Sequence, residues 1–438
     1  MFKKEITLIL TIIAGVMPLI MHPFSDDSYY LPKTVFLYIM YFLLIFILLK
    51  DRKNIRLDKN DKVLIIYLGI ALLSTIFSIK PMVSIFGTEI RYEGVIMLLF
   101  YGLTYYCGKN YLEIDKKVIR AILIPAVIIS IYSIFQFYNI DPIPKDSYHA
   151  RMLFNSIGTQ GHRNFLSAYI SLFLPCTIVL YILKGKKMYI GVAAVLFASL
   201  LCTLTRSGWI AFIAYSLLGV VYIIINFNKK YLTRALILMI AFISIFGILD
   251  YTSGEKISSR SDQLIYDTKS ASGDLLRNGK ITNEALGSAR VYIWKVALKT
   301  IEKNPLIGSG TDTFRYSIEK YFPEDGQDYI DVYGAIIDKA HNEFLQIAAT
   351  MGIPALIVYL VFIFLSLKNN IKNMWKSKIN FIISITFIGY LIQSFFNISV
   401  INVAPLFWMG LGLAQNSKVL EKVEKIIESK EGQYEEVC

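Results

Sequence analysis

Histidine and cysteine are scarce in this chain of 438 residues, with four of each. The cysteines (Cys107, Cys176, Cys202 and Cys438) are scattered and form no C-x-x-C pair, so no disulfide framework is indicated. The histidines (His22, His149, His162 and His341) include no H-E-x-x-H spacing, which leaves no zinc site of recognisable pattern. No segment is of low complexity, and the two halves carry no convincing repeat. Acidic residues are outnumbered, 33 against 45 Lys and Arg, for a net charge of +12. Taken alone, that excess would admit a nucleic-acid partner; its placement along the chain argues against one.

Apolar sequence is what the chain has in abundance. Hydrophobic residues make up 55% of it, and the mean hydropathy is +0.52. About twelve apolar runs recur, at 5–22, 34–49, 63–79, 92–107, 118–137, 164–183, 188–204, 207–227, 232–250, 342–366, 379–396 and 399–415. Runs of this length cross a hydrocarbon core of roughly 30 Å as helices. Helices are required because lipid offers the backbone no hydrogen-bond partner. The expected fold class is therefore all-α: a polytopic integral membrane protein of about twelve transmembrane helices. The first run lacks a small-x-small cleavage site before Ser25 and is expected to be a retained span rather than a signal peptide.

Basic residues fill every second linker. Lys50, Arg52, Lys53, Arg56, Lys59 and Lys62 crowd one; Lys109, Lys116, Lys117 and Arg120 crowd the linker two spans on. Lys184, Lys186 and Lys187, then Lys229, Lys230 and Arg234, then Lys368, Lys372, Lys376 and Lys378 continue the alternation. This is the positive-inside pattern of a plasma-membrane protein, with the lysines serving topology and lipid headgroups rather than nucleic acid. Both termini are then cytoplasmic. Residues 1–250 supply spans one to nine, 251–341 a large extracytoplasmic loop, 342–415 spans ten to twelve, and 416–438 a charged cytoplasmic tail.

Within the loop, 251–287 is polar and is expected to be irregular or flexible. From Ser288 the pattern changes: Val291, Trp294, Leu298 and Ile301 fall at helical spacing, with Ser288 as a plausible N-cap. Asn304–Pro305 stops that helix, Gly308 and Gly310 supply a turn, and a second amphipathic piece spans 312–322. The loop reads as a small cap of short helices. Acid and base nearly cancel in it, so individual positions must matter.

Polar groups gather at the outer ends of the spans: Arg91, Gly158 to Asn164, Thr205 to Trp209, Arg290 with Trp294, and His341–Asn342–Glu343. Arginine suits phosphate because its planar fork donates two parallel charge-assisted hydrogen bonds. A lone arginine near a helix end more often snorkels to headgroups. Arg206 is the exception, since the turn around it is only two or three residues long. Histidine can take a proton from a hydroxyl near neutral pH, although on pattern alone an interfacial histidine is the commoner case. Asp325, Asp328 and Asp331 lack regular ligand spacing and read as a solvated surface, and the Gly308/Gly310 pair as a turn rather than a phosphate cradle.

The segments Gly161-His-Arg-Asn-Phe-Leu-Ser-Ala-Tyr169, Thr205-Arg-Ser-Gly-Trp209, Arg290-Val-Tyr-Ile-Trp294, Asn304-Pro-Leu-Ile-Gly-Ser-Gly310 and His341-Asn-Glu-Phe-Leu345, followed by Gly352, resemble the O-antigen ligase and O-antigen polymerase superfamily of bacterial glycosyltransferases. The resemblance covers about 160–370 in order and spacing. It implies an undecaprenyl-pyrophosphate-linked glycan donor, transfer to a hydroxyl on a glycan, lipid or protein acceptor at the outer face, and a role in surface polysaccharide assembly. It also implies a metal-independent mechanism without cofactors, with His341 as the essential histidine and Arg206 and Arg290 as the essential arginines. His162-Arg-Asn164 is read as a departure from the usual form of its motif, so only Arg163 and Asn164 carry over from it, as substrate-binding residues. Arg91 and Trp294 join them by position, and Trp294 either stacks on a sugar ring or belongs to the core of the cap. The competing reading is a secondary transporter or flippase of the cell envelope. Against it stand the missing inverted repeat and the few ionisable residues deep within spans.

Overall fold

The computed structural model describes residues 2–89, 91–143, 156–279 and 281–428. His149, Cys438 and the end of the expected charged tail, 429–438, lie outside the described residues. Among the described residues every regular element is helical. In chain order these are α1 (Lys3–Val16), α2 (Leu31–Lys50), α3 (Lys59–Ile76), α4 (Pro81–Phe86), α5 (Val95–Asn110), α6 (Lys116–Phe137), α7 (Arg163–Lys184), α8 (Lys187–Cys202), α9 (Arg206–Ile225) and α10 (Lys229–Ser253). They continue with α11 (Lys256–Asn278), α12 (Leu286–Lys303), α13 (Phe314–Tyr321), α14 (Pro323–Tyr333), α15 (Glu343–Met351), α16 (Ile353–Asn373), α17 (Lys378–Ser394), α18 (Ala404–Leu413) and α19 (Ser417–Glu428).

Each of the twelve apolar runs overlaps α-helix, eleven of them one α-helix apiece and the run 342–366 two. Six of these helices (α2, α6, α7, α9, α10 and α16) are long and apolar enough to cross a membrane by length and composition, whereas α8, α17 and α18 are apolar but shorter. The expected run 342–366 is broken in two. Gly352, at φ +89°, bends the chain between α15 and α16, and a Cβ there would overlap the Leu306 backbone, so only glycine fits.

The six differ in how deeply they are enclosed. In α7, 72% of the apolar window is buried, against 17% in α10. The first is therefore the central helix, packed against α8, α9 and α17, while the second is peripheral. Close packing relies on small residues, as expected where the solvent is as apolar as the helices. Between α5 and α18 the contact is made at glycines: a Cβ at Gly108 would stand 2.6 Å from the Met409 carbonyl oxygen, and one at Gly412 would stand 2.8 Å from the Lys109 nitrogen. Trp408 of α18 completes this seam by stacking on Tyr101 of α5, with ring centroids 6.3 Å apart.

Three buried polar side chains fix the loop that enters α7. The Lys33 ammonium donates to the carbonyls of Ile20 (2.7 Å) and Thr159 (2.6 Å). The Gln136 side-chain carbonyl accepts from the amides of Ile157 (3.1 Å) and Gly158 (2.7 Å). Asn402 donates to the Gln160 carbonyl at 2.7 Å. A backbone segment buried among helices must satisfy its polar groups. Here that satisfaction sets the start of α7, and with it the direction of residues 162–164.

The loop between α10 and α15 differs from expectation at its beginning. Residues 251–287 are not irregular: α10 runs on to Ser253, and α11 is a helix of 23 residues. Its start is set by Asp250, whose carboxylate accepts from the amides of Ile257 (3.1 Å) and Ser258 (2.9 Å) and so satisfies donors a helix start leaves orphaned. Its polar composition hides the helix, since only Ile257 along it is buried. Ser288 is not the N-cap of α12. Gly287, Ser288 and Ala289 are all left-handed, at φ +69°, +60° and +61°, and the regular helix begins after them. The buried face of α12 is Ile293, Val296, Ala297 and Thr300 with the expected Ile301, while Leu298 is 52% exposed. That face packs on Phe314, Ile318, Tyr329, Ala348 and Ala349, making a small core for the cap. Asn304 ends α12 as expected, and the Gly308–Gly310 turn docks on α15 through the Gly310 amide and the Thr350 carbonyl, 2.8 Å apart. Gly412→Leu, which drives a side chain into α5, is expected to cost more than the roughly 1–3 kcal/mol of ordinary overpacking because backbone cannot yield. It should show as a lowered unfolding temperature of the detergent-solubilised protein.

Candidate active site

The N-termini of α7 and α9 and the cap enclose a cavity of 180 Å³. His162, Arg163 and Asn164 reach it from the start of α7; Leu204, Thr205 and Arg206 from the turn into α9; Arg260 from α11; Ser288, Arg290 and Ile293 from α12; Tyr329 from α14; and His341 from the segment before α15. Four guanidinium groups and two imidazoles thus share one space. Two helix N-termini point toward it, and each favours negative charge at that end.

Arg206 opens α9 and is buried. It forms an ion pair with Asp267 of α11 and donates to the Ser288 hydroxyl at 2.6 Å. The same Asp267 carboxylate accepts from the Gly287 amide at 2.9 Å, so one acid ties the bundle, α11 and the left-handed start of α12 together. Arg260 donates through Nε to the Leu204 carbonyl (3.2 Å), which bounds the cavity on that side. Among the described residues, no carboxylate lies within ion-pair distance of Arg163, Arg260 or Arg290. Burial, followed by the neighbouring arginines, pulls Arg260 and Arg290 down to about 10. Crowded like charges in a partly dehydrated space favour an anionic ligand that neutralises them.

His341 is held rigidly from both sides. The Ala340 amide donates to the Gln346 side chain at 2.8 Å, and the Asn342 side chain caps α15 by accepting from the amides of Phe344 (3.0 Å) and Leu345 (3.1 Å). Between these anchors His341 sits at φ +47°, a conformation that costs free energy for a residue with a Cβ and is found where surrounding structure imposes it. Burial pushes its pKa down to about 4; Asp338 pulls upward, while Arg290, Arg91 and Lys339 push down further. The imidazole is therefore neutral at pH 7 and available to accept a proton. His162 is likewise held well below its ordinary value by burial and then by Arg91 and Arg163, and its Nδ1 accepts from the Asn164 amide at 3.2 Å.

Of the residues singled out from sequence, Arg163, Asn164, Arg206, Arg290 and His341 line this one cavity, whereas Arg91 and Trp294 are not among the lining residues. Arg91 binds the Asp338 carboxylate through Nε (3.1 Å) and Nη2 (2.6 Å). Trp294 packs against Phe395 and Phe396, with ring centroids at 5.5 and 6.1 Å. Sequence reasoning missed Arg260, Asp267, Ser288 as an arginine partner, Tyr329 and Asp338. Ile257, Arg260 and Asp267 are spaced i, i+3 and i+10, so a helical reading of 256–278 would have put all three on one face. Asp325 pairs with Lys299 at 2.7 Å. A second cavity of 80 Å³, lined by Glu93, Asp312, Lys339 and Glu343 over Trp408, lies on the other side of the 339–343 segment and holds no arginine.

A family model described as O-antigen ligase matches residues 191–360, a span that contains Arg206, Arg260, Arg290 and His341. No curated protein matches the chain. Because three of the four guanidiniums have no carboxylate partner among the described residues, inorganic pyrophosphate should raise the unfolding temperature of the purified protein, less so at high salt. Arg260→Ala or Arg290→Ala should weaken that binding about tenfold to a hundredfold, the equivalent of one charge-assisted hydrogen bond.

Proposed function

Starting from an O-antigen ligase domain over residues 191–360 of a multi-pass membrane protein, we propose that the chain is a glycosyltransferase that moves a glycan from undecaprenyl pyrophosphate to an acceptor hydroxyl at the outer face of the plasma membrane. The observation that carries this reading is the convergence of Arg163, Arg206, Arg260 and Arg290 with His341 on one cavity. The arginines answer a pyrophosphate, and the neutral imidazole answers a hydroxyl.

The donor pyrophosphate lies among the four guanidiniums, between cap and bundle, with its prenyl tail among the spans in lipid. The acceptor oxygen attacks the anomeric carbon of the donor sugar as His341 takes the hydroxyl proton. The carbon–oxygen bond to phosphate breaks, and its electron pair stays on the departing pyrophosphate oxygen. Arginine side chains aimed at that oxygen stabilise the charge developing on it, as preorganised donors do in an oxyanion hole. Undecaprenyl pyrophosphate then leaves, and His341 returns its proton to water. Asn164 borders the same space as a binding residue, and Trp294 supports the cap that carries Arg290. No metal or cofactor enters this scheme.

In this reading the twelve helical runs are twelve spans, both termini are cytoplasmic, and residues 251–341 form the extracytoplasmic cap. Spans one to nine occupy 1–250 and spans ten to twelve occupy 342–415; from 416 on, the chain is the cytoplasmic tail. The acceptor is a glycan, lipid or protein hydroxyl in surface polysaccharide assembly.

In a purified transfer assay, His341→Ala should lower kcat by about 10²- to 10⁴-fold, the range for removing a general base. Arg290→Ala should lower kcat/KM comparably, and either variant transferring glycan at the wild-type rate would overturn the assignment. The pH dependence has a defined sign. Only neutral His341 accepts a proton, and its free-enzyme pKa is lowered to about 4, so kcat/KM should hold down to pH values well below the ordinary histidine value of about 6.5. Bound pyrophosphate adds negative charge nearby and raises that pKa. The acid limb of kcat, which reports the complex, should therefore lie at higher pH than that of kcat/KM.

A further inference from the structure

We propose that Asp338, locked by Arg91, is a positioning residue for His341: it orients the imidazole and stabilises the imidazolium that forms when the acceptor proton is taken. The inference rests on the transferase reading and assigns Arg91 to this chain of contacts rather than to the donor phosphates.

The geometry is a relay of three side chains from two segments, Arg91 before α5 and Asp338 with His341 before α15. Both Nε and Nη2 of Arg91 donate to Asp338 Oδ2, at 3.1 and 2.6 Å, which leaves Oδ1 free to face the histidine. Oδ1 stands 3.8 Å from His341 Nε2. That separation exceeds a direct hydrogen bond in this state, and such contacts commonly tighten once substrate is bound. Arg91 is itself held in place over the rings of Tyr30 and Phe165, 5.8 and 5.4 Å from their centroids. It therefore acts as a fixed clamp and not as a mobile surface charge.

Charge gives the relay its purpose. The groups facing His341 are Asp338 and Lys339 on its own segment, Arg91 from the loop before α5, Arg290 from α12, and His162 ahead of α7. Lys339 is already paired with the Asp312 carboxylate, so the cations that bear on the imidazole without another acid are Arg290 and Arg91. An imidazolium formed beside them is disfavoured unless a nearby anion is fixed in place, and Asp338 is that anion. Burial pulls the Asp338 carboxyl upward, but Arg91 and His341 outweigh it and hold the group below its usual range, so it stays charged. The arrangement has the logic of a base oriented by a carboxylate that does not itself take the proton.

The test compares purified full-length wild type, Asp338→Asn, Asp338→Glu and His341→Ala for glycan transfer across pH, with unfolding temperature measured in parallel. Asp338→Asn should lower kcat about 10- to 100-fold, less than loss of the base itself. With Arg91 and Arg290 left unopposed beside the imidazole, the acid limb of kcat/KM should move to lower pH. Asp338→Glu, which restores the charge, should return that limb toward wild type even where folding of the Asn variant is impaired. Unchanged kcat in Asp338→Asn, or a lower kcat with an unmoved acid limb, would overturn the positioning role while an inactive His341→Ala leaves the transferase reading standing. A fully active His341→Ala would remove both.

Discussion

Four guanidinium groups facing one partly dehydrated cavity repel one another, and nothing in ordinary packing would gather them there. Coulomb repulsion at this range is several-fold stronger than in water. Only Arg206 is relieved by a carboxylate among the described residues, and that carboxylate, Asp267, is spent on holding the kinked start of α12 as well. Much of the fold around the cavity is what it takes to keep these charges together. The entry to α7 is fixed by Lys33, Gln136 and Asn402, the start of α11 is fixed by Asp250, and the cap is docked on α15 through the Gly308–Gly310 turn. On the proposed reading, a bound pyrophosphate would relieve the repulsion that these contacts resist.

Of the eight non-glycine residues at positive φ among those described, His341, Ser288 and Leu204 line the cavity and Ala289 lies beside it. Strain of this kind persists only where neighbouring contacts over-determine it. At His341 those contacts are the Gln346 bond before it and the Asn342 cap after it. The imidazole is set by two elements that would otherwise be free to shift against each other, α15 and the segment leading from α14.

Much of this was legible in the sequence. The apolar runs predict the helices because lipid permits no other solution for the backbone, and Arg206 stood out because a turn so short leaves an arginine nowhere else to go. Asn304–Pro305 and the glycines after it mark the end of α12 as written. What could not be read were features decided by tertiary partners. Residues 251–287 look irregular because α11 buries almost nothing, and its helix depends on a cap from Asp250, which belongs to the preceding span. Ser288 has the chemistry of an N-cap, yet Arg206 takes its hydroxyl and the backbone turns left-handed instead. Arg91 sits at a span mouth like the other arginines, and only the fold reveals that Asp338, far along the chain, is its partner. The run 342–366 reads as one helix because the close approach of the Leu306 backbone to Gly352 is invisible in one dimension.

On the proposed reading, the arginine cavity holds the donor pyrophosphate within reach of His341. A structure of the protein in lipid with a polyprenyl-pyrophosphate-linked glycan bound would test it most directly. The two phosphates are expected among Arg163, Arg206, Arg260 and Arg290, with the anomeric carbon facing His341. Phosphates seated elsewhere, for instance against the acidic cavity of Glu93 and Glu343, would contradict it.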